Sequence, residues 1–325
     1  MNLKKIKKKD FCLFSAPHYF LNQLKNKQNF GKLKIIFKEI WKAKELNADK
    51  NLVAWILNPG QNFIVDEKIL KLFPNLRIII TPSTGKNHIN LRECKKKKIK
   101  VFSLLNDRKN LNSIRSSSEF SFLLLLNSLR KIQNAISEVD KNRWRQNENK
   151  MRGVELYEKK VGIIGLGRIG KNLAKWCSNF GAEITYYDPY VKSKKFKKNG
   201  LRNIFLKSDI VCVCCSLNEE TYNMITKKHL ILLRKNATLL NTARGEIVAE
   251  KDLVNIIKKR KDLNITLDVL TGEVENKQLN SPLIKLHKKR KILITPHISG
   301  ATIESQYKAA ASSLNLLKKN KKYLN

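Results

Sequence analysis

The hexapeptide Gly165-Leu166-Gly167-Arg168-Ile169-Gly170 constrains this chain more than any other feature, because of its surroundings. It follows an apolar run, Val161 to Ile164. It opens a helical pattern in which Ile169, Leu173, Trp176 and Phe180 share one face before Gly181. A strand delivered into a glycine turn and then a helix is the first half of a dinucleotide-binding unit. Gly165 permits the tight turn, Gly167 lets the backbone approach a pyrophosphate, and Gly170 lets helix pack closely on strand. The helix start presents amides and the positive end of its dipole to phosphate. A second strand, Ile184 to Tyr187, ends in Asp188, 23 residues beyond Gly165. A carboxylate there can accept hydrogen bonds from ribose hydroxyls, against the plainer reading of a solvated turn acid before Pro189.

Strands continue at Ile210 to Cys214, Thr238 to Asn241, Ile265 to Asp268 and Ile292 to Thr295. Six strands alternating with helices predict a doubly wound fold for this half. The first hundred residues show the same alternation, with apolar runs at Phe11 to Phe14, Leu33 to Phe37, Leu52 to Ile56, Leu76 to Ile80 and Ile99 to Phe102. Val65 to Phe73 reads as a crossover helix ended by Pro74. Ser116-Ser117-Ser118-Glu119 has the form of a capping box opening one long, buried helix through Ile132, and the domain boundary is placed there. Asp140 to Arg152 reads as an irregular surface connection. Thr302 to Lys319 carries Ile303, Tyr307, Ala310, Leu314 and Leu317 at helical spacing and can pack back on the first domain. The expected division is 1–115 with 297–325, and 116–296.

Three polar spots follow later strands: Thr242-Ala243-Arg244-Gly245, Asp268, and Pro296-His297. Parallel strands put all of them on one sheet edge with the glycine turn, where open α/β sheets bind ligands. Reducing a carbonyl by hydride needs a proton donor, which His can be, and a 2-oxo acid needs a cationic clamp, for which Arg supplies a planar fork. A carboxylate on the far imidazole nitrogen would fix the tautomer. Glu273 and Glu275 both have suitable spacing. Taken singly, His297 could be a satisfied loop histidine and Arg244 a surface charge; taken together at successive strand ends they point to a site.

The 66 Lys and Arg against 27 Asp and Glu give a formal charge of +39. This invites a nucleic-acid reading, but the basic runs, from Lys4 to Lys9 through Lys318 to Lys322, are scattered along the chain, which favours a solvated surface. The six cysteines lack metal-ligand or disulfide spacing and read as reduced core thiols, with no metal expected. No apolar run is long enough to span a bilayer. The basic start and Phe11 to Phe20 imitate a signal peptide, but Asp10, Pro17 and His18 interrupt the run, so the cytoplasm is expected.

The segments Gly162 to Gly170, Asn241 to Gly245, Leu267-Asp268-Val269 and Thr295-Pro296-His297-Ile298-Ser299-Gly300 resemble the signatures of D-isomer-specific 2-hydroxyacid dehydrogenases. Thr84-Gly85-Lys86-Asn87-His88-Ile89 and the Ser118-Glu119-Phe120 helix start add to the likeness, especially to the D-3-phosphoglycerate dehydrogenase branch. The resemblance implies two Rossmann-like α/β domains: a doubly wound NAD-binding domain and a flavodoxin-like substrate domain built from both chain ends. It implies Arg244 for substrate orientation, Glu273 as the partner of His297, and His297 as acid and base. Arg168, Ile169, Asp188, Thr242, Ala243 and Asp268 would line NAD, with Asp268 near the nicotinamide amide. Backbone amides around Thr84 and Gly85 would hold the substrate carboxylate. A homodimer joined through the cofactor domains is also implied. Cys214-Cys215-Ser216 stands where the family usually has His-Val-Pro, and Val274 where a proline often follows the catalytic Glu. The Asn58-Pro59-Gly60-Gln61 loop offers no phosphate-binding Arg, and a chain ending at Asn325 is expected to carry no serine-sensing domain. Two competing classes are a dinucleotide-sensing corepressor-like module and a basic nucleic-acid binder.

Overall fold

The structure, a computed structural model, describes residues 9–17 and 33–324. The basic start up to Lys8 and the signal-like stretch from His18 to Phe20 lie outside the described residues. The chain divides into two compact units, one of residues 1–114, 273–276 and 301–325, the other of residues 115–272 and 277–300.

The first unit holds a five-stranded parallel sheet: β1 (Phe11–Phe14), β2 (Lys34–Phe37), β3 (Leu52–Ile56), β4 (Ile78–Thr81) and β5 (Lys100–Ser103). Their spatial order is β2-β1-β3-β4-β5, the flavodoxin-like arrangement. The strands are apolar almost throughout because both faces are covered. Ala54, Ile56, Ile78 and Ile80 pack with Leu314 and Leu317, while Trp55 and Ile79 pack with Ile69, Leu70 and Phe73. This is the period of two expected of a pleated strand. The C-terminal helix Ile303–Lys319, capped by Thr302 accepting from the Ser305 amide, is therefore part of this unit's core.

The second unit holds seven parallel strands: β6 (Lys160–Ile164), β7 (Glu183–Tyr187), β8 (Lys197–Lys198), β9 (Ile210–Val213), β10 (Thr238–Asn241), β11 (Asn264–Leu267) and β12 (Leu293–Ile294). Their order is β12-β11-β10-β9-β6-β7-β8. The direction of winding reverses between β6 and β9, the switch point at which such sheets bind ligands. The seventh strand is β8, an edge pair of lysines with no apolar signal.

Several local expectations change. The helix from Ser116 ends at Arg130, because Lys131 adopts a left-handed backbone (φ 50°), and a second helix, Ile132–Val139, follows. Arg115 rather than Ser116 precedes the first turn, no side chain caps it, and the buried Ser116 hydroxyl has no hydrogen-bond partner. The connection beyond Asp140 contains a further helical turn, Glu148–Met151. The helix Arg168–Asn179 buries Gly170, Leu173, Ala174 and Cys177. Phe180 is exposed and Trp176 half-buried, and both contact Phe122, at ring separations of 5.1 and 6.0 Å respectively. Among the described residues, no helix is long and apolar enough to cross a membrane.

Candidate active site

The carboxyl ends of β6, β7 and β9 to β12 gather most of the residues singled out by sequence. At the end of β6, Gly165 turns with φ +90°, and a side chain there would strike the Cys215 backbone at 2.6 Å. A Cβ on Gly170 would lie 2.1 Å from the Gly165 carbonyl oxygen. Helix and strand thus meet at a distance only glycine permits. Gly167 differs, since a Cβ there would meet nothing within 4 Å. That open side of the turn is where a pyrophosphate could approach the amides. Arg168 opens the helix and Ile169 is half-buried behind it. Arg115 docks on the same helix by donating to Asn172 Oδ1 (2.7 Å). Burial, and then the nearby Arg115 charge, hold the Arg168 guanidinium below its ordinary value. An anion at this helix start would relieve both costs, so the residues present fit a dinucleotide phosphate.

Asp188 stands just past β7 and is buried. Its Oδ2 accepts from the Leu166 amide in the glycine turn (2.8 Å), and its Oδ1 accepts from the amides of Tyr190 (2.9 Å) and Val191 (3.0 Å). The carboxylate therefore ties the β6 and β7 ends together. With about four acceptor positions on a carboxylate and three in use, room remains for a hydroxyl donor.

After β10, Asn241 organises the next loop. Its side-chain oxygen accepts from the Ala243 amide (3.0 Å), and its Nδ2 donates to the Arg244 carbonyl (2.8 Å). Thr242 shares a 2.7 Å hydrogen bond with the Ser121 hydroxyl. The half-buried Arg244 donates from Nη1 to the Ala243 carbonyl (2.6 Å). Gly245 is obligatory, because a Cβ there would lie 2.1 Å from the Leu270 carbonyl carbon.

Asp268, wholly buried after β11, governs the loop beyond β12. Its Oδ1 accepts from the Thr295 hydroxyl (2.6 Å) and the Ile298 amide (3.1 Å), its Oδ2 accepts from the Ser299 amide (2.9 Å), and its carbonyl accepts from the His297 amide (2.8 Å). His297 is held within this frame at φ +54°, a backbone conformation uncommon for a side-chain-bearing residue. Such conformations persist where surrounding bonds over-determine them, and here a buried carboxylate supplies three.

Thr84, Gly85 and Glu273 belong to the first unit. In the loop after β4, Thr81 Oγ1 shares hydrogen bonds with His88 Nε2 (3.0 Å) and Ser83 Oγ (2.9 Å), and Ser83 donates to the Gly85 carbonyl (2.8 Å). This chain shapes the backbone of Thr84 and Gly85 from a buried imidazole outward. Glu273 is half-buried and Glu275 exposed.

Sequence reading assigned no role to Asn241, Ser121, Thr295 or His88. The available signal for Asn241 and Thr295 was a polar residue closing an apolar strand. The six cysteines are free thiols, four of them buried. Burial pushes Cys12 and Cys177 up to about 12 and Cys94 and Cys215 up to about 11, so none is a ready nucleophile near neutrality.

Comparisons with known proteins agree with this geometry. Residues 122–299 match the NAD binding domain of D-isomer specific 2-hydroxyacid dehydrogenases, and residues 13–114 match their catalytic domain. A glyoxylate reductase of Thermofilum pendens is 33% identical over 259 residues, covering 76% of this chain and 72% of that protein. A D-3-phosphoglycerate dehydrogenase of Bacillus subtilis is 30% identical over 254 residues, covering 76% of this chain but 46% of that longer protein. The fold matches that of D-lactate dehydrogenase from Aquifex aeolicus complexed with NAD and lactic acid, with TM-score 0.81, 24% identity, and coverage of 97% and 96% of the two chains. The chain belongs to the D-isomer specific 2-hydroxyacid dehydrogenase family and is an NAD-dependent oxidoreductase acting on small 2-hydroxy and 2-oxo acids.

Proposed function

We propose that this enzyme reduces a small, unphosphorylated 2-oxo acid of the glyoxylate or hydroxypyruvate type, with His297 as proton donor and Arg244 as the cation that orients the substrate. NADH, when bound, supplies a hydride to the carbonyl carbon. His297 gives its proton to the carbonyl oxygen, and Glu273, the better buried of the two nearby acids, holds the imidazole. Arg244 meets the carboxylate with its planar fork, and the amides around Thr84 and Gly85 offer it further donors. Gly165, Gly167, Arg168, Ile169 and Gly170 receive the pyrophosphate side of the cofactor. Asp188 receives the ribose, and Thr242, Ala243 and Asp268 the nicotinamide end. The supporting observation is the frame built by Asp268, which fixes the His297 loop at the same sheet edge as the glycine turn. The first unit, with both chain ends, is the substrate-binding domain in this reading.

The choice among substrates rests on the loop after β3. It contains neither Lys nor Arg, and two of its amide side chains are used internally. Asn58 donates to the Ile40 carbonyl (3.0 Å) and accepts from Gly60, while Gln61 donates to the Phe63 carbonyl (2.9 Å). No cation of this loop is left to bind a distal phosphate. Steady-state kinetics should give glyoxylate or hydroxypyruvate a kcat/KM at least about tenfold above that of phosphohydroxypyruvate, a margin near 1.4 kcal/mol. The reverse order would discard this substrate class.

The protein is further proposed to form a homodimer through its NAD-binding unit. Leu123 and Phe180 are more than half exposed, beside Phe122 and Trp176, and Ile136 and Val139 expose the following helix. A monomer seldom leaves so much apolar surface open. Sedimentation equilibrium at micromolar concentration should give twice the chain mass, and Leu123→Asp should shift it toward the monomer; a monomeric parent protein would end this proposal. The scattered basic residues suit a solvated surface rather than a nucleic-acid face. Buried reduced thiols suit the cytoplasm, which cell fractionation can check.

A further inference from the structure

Tyr190 and Glu220 are joined by a hydrogen bond, phenol to carboxylate, whose position in the sheet gives it a function. Tyr190 stands two residues beyond Asp188, after β7. Glu220 lies in the loop after β9. In the sheet, β7 and β9 flank β6, so their ends are two strand spacings, about 10 Å, apart. The glycine turn occupies the interval between them. The bond from Tyr190 to Glu220 therefore crosses over the carboxyl end of β6.

Both ends of this bridge are anchored. Asp188 Oδ1 accepts from the Tyr190 amide, and Lys198 donates to the Pro189 carbonyl (3.3 Å). On the other side, Thr221 binds back to the Ser216 carbonyl (2.7 Å) and to Asn218 through both its amide and its hydroxyl (2.9 Å each). The bridge adds nothing to the core, since Tyr190 is 74% exposed. An aromatic ring held out in water by one charge-assisted hydrogen bond calls for another reason. The Glu220 hydrogen bond raises the Tyr190 phenol above its ordinary value, with smaller contributions from burial and the Glu220 charge and lesser ones from Tyr187 and Asp188, so the hydroxyl stays a donor at neutral pH.

A dinucleotide whose adenosine ribose sits at Asp188 brings its adenosine end beside the segment that follows β7, where the bridge begins. We propose that Tyr190 and Glu220 form a strap over the adenosine end of the cofactor site and govern how fast NADH leaves. They act as positioning residues. The inference rests on the reading of Asp188 as the ribose site. Because the strap encloses the adenosine rather than reaching the reacting carbonyl, its loss should appear first in cofactor release.

The test is stopped-flow measurement of NADH fluorescence on the full chain, comparing the parent protein with Tyr190→Phe, Glu220→Ala and the double variant. Each single variant should raise the NADH dissociation rate about fivefold, a step typical of one charge-assisted hydrogen bond at the surface. The double variant should raise it no further, because either substitution already breaks the bond. Glu220→Gln, which keeps an acceptor, should recover most of the loss. Apo-protein thermal unfolding should be unchanged, since both side chains are outside the core. Dissociation rates within twofold of the parent in both single variants, or effects that add in the double variant, would overturn the strap. A parent protein that does not bind NADH would instead remove the cofactor reading beneath it, and the two failures are told apart in the first trace.

Discussion

His297→Ala should lower reduction of the preferred 2-oxo acid by at least about a hundredfold while NADH binding stays within a few-fold of the parent protein. A positioned general acid contributes roughly 10²–10⁴ in rate, and alanine supplies no proton. The structure makes this a clean substitution. The His297 backbone is held by its own amide on the Asp268 carbonyl, and its neighbours Ile298 and Ser299 by the Asp268 carboxylate. None of these bonds uses the imidazole, so the loop should keep its shape when the ring is removed. Arg244→Ala should reduce kcat/KM comparably but raise KM as well, because in the proposed role the guanidinium would bind the substrate carboxylate in both ground and transition states. Rapid kinetics with separately measured NADH affinity distinguish the two. Turnover of the His297 variant within tenfold of the parent would remove it from the chemistry.

Asp188→Ala should lower the ratio of catalytic efficiency with NADH to that with NADPH by at least about tenfold. The Asp188 carboxylate sits among the amides of Leu166, Tyr190 and Val191, all pointing at it. A 2′-phosphate beside this acid would meet a like charge, a repulsion of up to a few kcal/mol at close range in a protein-like dielectric. Removing the carboxylate also leaves three amide donors facing an empty position, a ready seat for an anion. The lysines at 192, 194 and 195 are all exposed and screened by salt over about 10 Å, so they modulate the preference without setting it. The variant will be less stable, having lost one buried and two partly buried hydrogen bonds. The ratio is insensitive to that, since both cofactors sample the same folded fraction. A parent enzyme favouring NADPH, or a ratio that does not fall, would take Asp188 away from the ribose.

The layered α/β plan was legible because strands buried on both faces are written as continuous apolar runs. Leu52–Ile56 and Thr238–Asn241 stand where those runs stand. What sequence missed has common physical causes. β8 is two lysines on an edge, formed by pairing with β7 rather than by burial. The break at Lys131 depends on one residue taking a left-handed backbone, for which lysine gives no signal. Ile169, Leu173, Trp176 and Phe180 share a face by spacing, yet the structure buries Leu173 with Ala174 and Cys177 and leaves Phe180 exposed and Trp176 half-buried.

The candidate site follows the same division. Gly165, Asp188, Arg244 and His297 could be singled out as candidates because the chemistry of a dinucleotide and a 2-oxo acid demands those residue types at strand ends. The residues that hold them were not readable. Asp268 also frames the next loop, its carboxylate accepting from Thr295, Ile298 and Ser299, and no local pattern announces those partners. Asn241 and Ser121 act through hydrogen bonds to loops remote from, or folded back on, their own strand or helix, and local patterns do not encode such partners.

The most direct measurement is the configuration of the product when the purified protein reduces glyoxylate's longer analogues, pyruvate and hydroxypyruvate, with NADH as the only reductant. NADH should be consumed, and chiral chromatography should find the D-2-hydroxy acid alone. Accumulation of the L-isomer, or no NADH consumption with any 2-oxo acid, would contradict an NAD-dependent D-2-hydroxyacid dehydrogenase.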